Sequence, residues 1–244
     1  MRRLLLVLLL AAALPVRSQD TAATVVGRYL AALNHDAIHA DSLLVINTSI
    51  RVRGSDDTLL MRRYCQAGGM VRVEVWRGDT LTDGFCTNGS TRHRQFFYLL
   101  DRWEDVPPHD FALAMQPYDF RGPLYQWEHL GVRLSYRGVV TIDGKQFQVV
   151  RADQKMRYQR FYYFDPDSGL LSLVIERGSR PEDDRMTPDE LLQPPIAYKC
   201  EHEYMSVGGM LIPSLESFQR GGVVTILHSE AHLAPRDNLL FNRD

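Results

Sequence analysis

A mainly β, α+β fold built on one long antiparallel sheet is what this sequence predicts. Three observations carry that expectation. Apolar and polar residues alternate in short runs, as in Val71-Arg72-Val73-Glu74-Val75, the period-two pattern of a strand with one buried face. Turn pairs interrupt the runs at meander spacing: Gly68-Gly69, Gly78-Asp79 and Asn88-Gly89. Between Tyr118 and Phe218, three turn phrases separate further apolar runs, at Arg121-Gly122-Pro123, Asp165–Gly169 and Gly208-Gly209.

Residues 1–18 read as a secretory signal. Arg2 and Arg3 form a positive start, Leu4–Leu14 an apolar stretch, and Val16 and Ser18 suit a cut before Gln19. The stretch is too short to span a bilayer as a helix. No cysteine follows it, so the expected product is a soluble, periplasmic chain without a lipid anchor. Residues 19–244 then form a single ligand-binding domain. Losing three arginines leaves 25 basic against 30 acidic residues. A net charge of about −5 argues against nucleic acid or an anionic membrane surface as partner, because both select basic surfaces.

Asp20 or Thr21 can cap a helix to Leu33 that presents Val25, Val26, Tyr29, Leu30 and Leu33 on one face. A second short helix is predicted around Ala37–Leu44, then a strand over Val45–Val52. Residues 59–65, 70–76 and 80–86 read as a three-stranded meander. It sets Cys65 and Cys86 two strand spacings apart, about 9–10 Å, beyond the roughly 7 Å reach of a disulfide. With Cys200 alternating with Tyr198 and Tyr204, three buried thiols outside any disulfide are expected. Pro107, Pro108 and Pro117 break the next region into brief helices at His109–Gln116 and Leu124–Leu130, laid over the sheet.

The later hairpins can be put in register. A turn over Asp165–Gly169 pairs Tyr163 with Leu171 and Phe161 with Leu173, leaving Ile175 on the same face. A turn centred on Gln154 adds Phe147 and Val149. A turn over Ser206–Gly209 brings Tyr204 beside Leu211, with Leu215 following. These residues, with Val71, Val73 and Val75, form the candidate apolar ligand-binding surface. The few short helices available would cover it incompletely.

The order of these segments resembles the LolA-like family, periplasmic lipoprotein-sorting carriers and their relatives. The similar phrases are Ile46-Asn47-Thr48-Ser49-Ile50 after the first helix, Asp119–Tyr125 followed by His129–Gly138, Val207–Pro213, and the closing Leu239-Leu240-Phe241. The resemblance implies a half-open antiparallel β-barrel of about 10–11 strands wrapped around a few short helices. It also implies an apolar cavity for acyl chains. The sequence departs from the lipoprotein carrier in one place: an arginine–proline pair at the end of that carrier's second strand is replaced by Tyr64-Cys65-Gln66-Ala67-Gly68-Gly69, with Arg62 and Arg63 upstream.

Catalytic and metal-binding patterns are weak. His228, Glu230 and His232 alternate on one strand face, but no further strong ligand is indicated nearby. His35 and His39 fall at a polar helix end. Asp165, before Pro166, suits a turn hydrogen bond rather than acid catalysis. Glu201 and Glu203 lack a facing carboxylate. There is no Gly-x-Ser-x-Gly, and no histidine is expected against a cysteine. The sequence therefore predicts a non-enzymatic monomeric carrier of a lipid or acylated lipoprotein, with no cofactor and no metal. An envelope module that contacts a protein partner is the alternative, and a hydrolase the third reading.

Overall fold

Strand-forming alternation prevails almost everywhere after residue 41. The structure is a computed structural model that describes residues 21–89, 91–115, 118–153, 159–177, 198–237 and 239–241. Six strands precede the proline-rich region: β1 (Ser42–Val52), β2 (Thr58–Gln66), β3 (Met70–Arg77), β4 (Thr80–Asn88), β5 (His93–Phe97) and β6 (Arg102–Asp105). Seven follow it: β7 (Arg133–Ile142), β8 (Lys145–Asp153), β9 (Gln159–Phe164), β10 (Leu171–Arg177), β11 (Tyr198–Val207), β12 (Met210–Arg220) and β13 (Val223–Pro235).

They form one sheet in the order β6-β5-β4-β3-β2-β1-β13-β12-β11-β10-β9-β8-β7. Two meanders are thus spliced at the β1–β13 seam, which runs from Ser42 opposite Pro235 to Val52 opposite Thr225. The sheet does not close, since β6 and β7 remain its edges. The half-open antiparallel architecture is as expected, with thirteen strands among the described residues rather than ten or eleven. The sequence reading assigned no strand to Arg102–Asp105, whose four residues include one apolar side chain and so give no alternation.

The 59–86 meander forms with both cysteines beside Val71 and Arg72 of the middle strand, as expected, and with a register shift between Val75 and Trp76. Cys65 faces Val71, and Cys86 faces Arg72 across β3. All three cysteines are buried and outside any disulfide.

Helix α1 (Ala22–Leu33) starts where Thr21 Oγ1 accepts from the Thr24 amide at 3.1 Å, and ends at Asn34 in a left-handed conformation. Val25, Val26, Tyr29 and Leu33 are buried against Val150, Tyr162, Phe164, Leu171, Val174 and Cys200. Each such side chain contributes about 1.5–3 kcal/mol of transfer free energy. Helix α2 (Pro108–Met115) begins on a proline, which suits a first helical turn, and seats Phe111 and Met115 on the Val73–Val75–Phe85 side of the sheet.

Two expected helices are absent. A single 3₁₀ turn, His35–Ala37, replaces the one at 37–44, because the αL Asn34 ends α1 and Ser42 already pairs in β1. Residues 121–131 form successive turns rather than a helix. Gly122, Gln126 and Gly131 have positive φ there (90°, 57° and 65°), which helical propagation does not allow. This strap crosses one face of the sheet. Tyr118 ties it down by donating to Asp83 Oδ2 at 2.9 Å, and Arg121 clasps Asp119 at 2.8 and 2.7 Å.

His35 anchors the same region. Its Nε2 lies 3.1 Å from the Leu211 carbonyl, and its ring packs on Phe120 with centroids 4.9 Å apart. Burial pulls its pKa down to about 4 against the opposing pull of that carbonyl, so the neutral ring donates. The unfolded chain takes up this proton near pH 6.5 while the native state resists it. Stability should therefore fall as pH drops from about 6.5 to 4, with His35 accounting for about 2–3 kcal/mol. Urea denaturation at pH 7 and 4.5 should show this loss in the wild type and a smaller one in His35→Gln.

Candidate functional site

The strap leaves a cavity of about 210 Å³ between itself and the sheet. Its apolar wall combines Phe120 and Pro123 of the strap with Tyr162 (β9), Val174 (β10) and Phe218 (β12). Strand pairing explains the grouping: Tyr162 faces Val174, Val174 faces Cys200, and Cys200 faces Phe218. One transverse row of the sheet thus supplies the wall.

Beside this row the lining turns polar. Cys200 and His202 share a face of β11 by the period of two, and His202 lies directly across from Glu216 on β12. The Cys200 Sγ is 3.4 Å from His202 Nε2, and His202 Nδ1 is 3.1 Å from Glu216 Oε1. Arg63 enters from β2, where it sits between the buried Met61 and Cys65. It is 5% exposed, and its Nη2 donates to Thr48 Oγ1 at 3.0 Å. Thr48 in turn shares a 2.8 Å hydrogen bond with Ser229 across the β1–β13 seam.

Charges at this end compensate one another. Burial works against ionisation of Glu216, yet His202 and the Arg63 charge together hold its carboxyl below the usual range. Burial lowers Arg63 from its ordinary value, and Glu216 counters the shift. Asp119 adds to the polar lining, and so does Arg160. Arg160 is level with Tyr198 through Glu176 and so flanks the apolar row on the side away from His202, its Nε paired to Glu176 at 2.8 Å. Ligand atoms of Cys200, His202 and Glu216 all lie within 4.8 Å of one another, a donor set that suits zinc-like ions as well as proton transfer.

None of the residues expected to form the ligand surface lines this cavity. Phe147, Val149, Phe161, Tyr163, Leu173 and Ile175 do cluster with one another, and all are buried. They lie on the alternate face of β8–β10 from Tyr162 and Val174. Both faces of these strands are buried, so alternation could not say which one holds the cavity. A register shift between Leu171 and Leu173 pairs Leu171 with Phe164 and Leu173 with Tyr163. Leu171 thereby turns to the α1 side, where Tyr204 and Leu211 pack on the same cluster. Another shift at Glu203/Tyr204 sets Tyr204 opposite Pro213 instead of Leu211. Leu215 pairs with Glu203 and points away from its neighbour Glu216. Val71, Val73 and Val75 pack beneath α2. Val71 also borders a second opening of about 170 Å³ beside Arg121 and Tyr125. The turn centred on Gln154 lies outside the described residues. The strands flanking it pair Val149 with Tyr163, which keeps the predicted faces with a different partner.

Sequence reasoning also missed the polar end. It expected no histidine against a cysteine, yet the two-residue spacing of Cys200 and His202 puts them together. The legible signal was charge at core parity: Arg63 between Met61 and Cys65, and His202 between Cys200 and Tyr204. The other polar candidates resolve as structure. His228, Glu230 and His232 are solvent-exposed on β13. Asp165 Oδ1 accepts from the Asp167 and Ser168 amides at 3.0 Å each, the expected turn bond.

No family model matches the chain, and no curated protein matches its sequence. Solved structures do share its architecture. A LolA superfamily protein from Nitrosomonas europaea aligns over 92% of this chain and 99% of its own, with TM-score 0.56 and 11% identity. A DUF1329 family protein from Desulfovibrio piger covers 90% and 95%, at TM-score 0.53 and 10% identity. An outer membrane lipoprotein-sorting protein domain from Vibrio parahaemolyticus covers 88% and 97%, at TM-score 0.51 and 13% identity. At these identities the likeness concerns the fold, and the fold of this chain is that of the LolA superfamily structures.

Proposed function

We propose that the protein is a periplasmic carrier for a hydrophobic ligand, a lipid or the acyl chain of a lipoprotein, acting as a monomer without turning its cargo over. The cavity between strap and sheet carries this reading, because it sets charged groups beside an aromatic and aliphatic wall. That is the polarity of an acyl chain with a polar head. Its volume is below the roughly 300–1,000 Å³ of pockets for drug-sized ligands, which suits a single chain. Each buried methylene contributes about 0.8 kcal/mol. A chain of medium length then reaches the −8 kcal/mol or so of micromolar affinity after association costs. The fold shared with a lipoprotein-sorting domain supports the reading by analogy. Among the described residues no helix is long and apolar enough to cross a membrane.

A fluorescent fatty acid should bind with micromolar affinity. Val174→Phe fills the cavity from its wall and should weaken binding at least about tenfold, with circular dichroism unchanged. Wild-type protein that binds no such probe, or a folded Val174→Phe protein that binds it equally well, contradicts the carrier.

One observation favours contact with an envelope partner. The β5–β6 connection exposes Tyr98, Leu99 and Leu100 at 56%, 93% and 53%, an apolar tip. In this second reading the tip docks on an acceptor protein. Leu99→Glu should then abolish transfer of the fatty-acid probe to acceptor-containing membranes while leaving probe affinity intact. Unchanged transfer removes this role.

A further inference from the structure

We propose that Cys200 is an acyl-accepting nucleophile at the polar end of the cavity, activated by His202 and Glu216. The inference rests on the carrier reading for its ligand class and adds covalent capture to it.

Three features point to a working thiol rather than a packed one. The Sγ–Nε2 distance of 3.4 Å places the imidazole where it can take the thiol proton. Glu216 Oε1 stands 3.1 Å from the other ring nitrogen, outside hydrogen-bond geometry but near enough to stabilise the imidazolium that forms. All three side chains border the same cavity as the apolar wall, and Cys200 lies between Val174 and Phe218 in its row, so a chain lying on that wall meets the sulfur. Arg63 borders it too. Its Nε, buried and without a hydrogen-bond partner, is available for charge developing on a carbonyl oxygen.

The chemistry matches an activated acyl group, an ester or thioester. The thiol proton passes to His202 Nε2, and Sγ adds to the carbonyl carbon. The carbonyl re-forms as the bond to the leaving group breaks, and the leaving group takes the proton back from His202. The chain keeps the acyl group as a thioester on Cys200, and no oxidant or reductant is consumed.

The other two cysteines serve as internal controls. Burial pushes the Cys65 thiol up to about 12 and raises that of Cys86, and the described contacts of neither include a histidine.

The full chain should be treated in parallel with iodoacetamide and with 4-nitrophenyl octanoate, and each cysteine followed by peptide mass spectrometry. Cys200 is expected to react at least about tenfold faster than Cys65 and Cys86 with both reagents. The ester should leave an octanoyl group on it with release of nitrophenolate. His202→Gln should slow Cys200 labelling about tenfold, and Cys200→Ser should abolish the adduct. Equal rates at the three cysteines in wild-type protein overturn the proposal without any variant. So does a Cys200 that becomes reactive only after a chelator is added, because the cluster is then a metal site. A protein that binds the fluorescent fatty acid reversibly but forms no adduct keeps the carrier and loses the nucleophile. An adduct in a protein that fails to bind the fatty acid does the reverse.

Discussion

Arg63→Ala is expected to cost about 2–5 kcal/mol of stability, from deleting a large buried side chain and its buried hydrogen bond. The wild-type guanidinium is almost fully buried and bonded to Thr48, whose hydroxyl also bonds Ser229 on the facing strand. Removing it takes away one of the groups that hold the Glu216 carboxyl low. It also opens a void next to the β1–β13 seam that joins the two meanders. Arg63→Met refills most of that volume and should lose less. Urea unfolding of the three proteins separates the terms. An Arg63→Ala protein within about 1 kcal/mol of wild type would mean that this charge is solvated in solution.

Gly122→Ala comes next, at roughly 2–4 kcal/mol. Gly122 has φ of 90°, a conformation that side-chain-bearing residues rarely adopt. A Cβ there would also run into the Tyr29 hydroxyl, which is buried beneath the strap. Relief requires the strap to lift from α1, and both border the cavity. The variant should therefore lose fatty-acid affinity as well as stability. Tyr29→Phe in the same background removes the colliding oxygen and should restore part of both. If Gly122→Ala alone binds and unfolds like wild type, the strap is not docked as described.

Much of the sheet was legible because alternation and turn residues agree locally. Val71-Arg72-Val73-Glu74-Val75 between two glycine turns admits one meander, and the thiol geometry follows from it. The site was less legible, for three physical reasons. β8–β10 are buried on both faces, so Phe161 and Tyr163 read like Tyr162 and Val174 although only the latter pair borders the cavity. The register shifts at Leu171/Leu173 and Glu203/Tyr204 move a side chain to the other face; Pro213 inside β12 marks the second, and no local residue type announces the first. The polar end is assembled across β2, β11 and β12, distant in sequence, from residues that singly read as solvated surface. Arg63 and His202 at core parity were the warning, since a charge among buried neighbours needs a partner.

The most direct test of the central claim is to find where an acyl chain lies. A photoactivatable fatty acid, equilibrated with the folded protein and irradiated, should cross-link within Tyr162, Val174 and Phe218 of the wall and Phe120 of the strap, with Val174→Phe suppressing the yield. Cross-links confined to Phe147, Phe161 and Tyr163 on the alternate face, or spread over the surface with no effect of Val174→Phe, would contradict it.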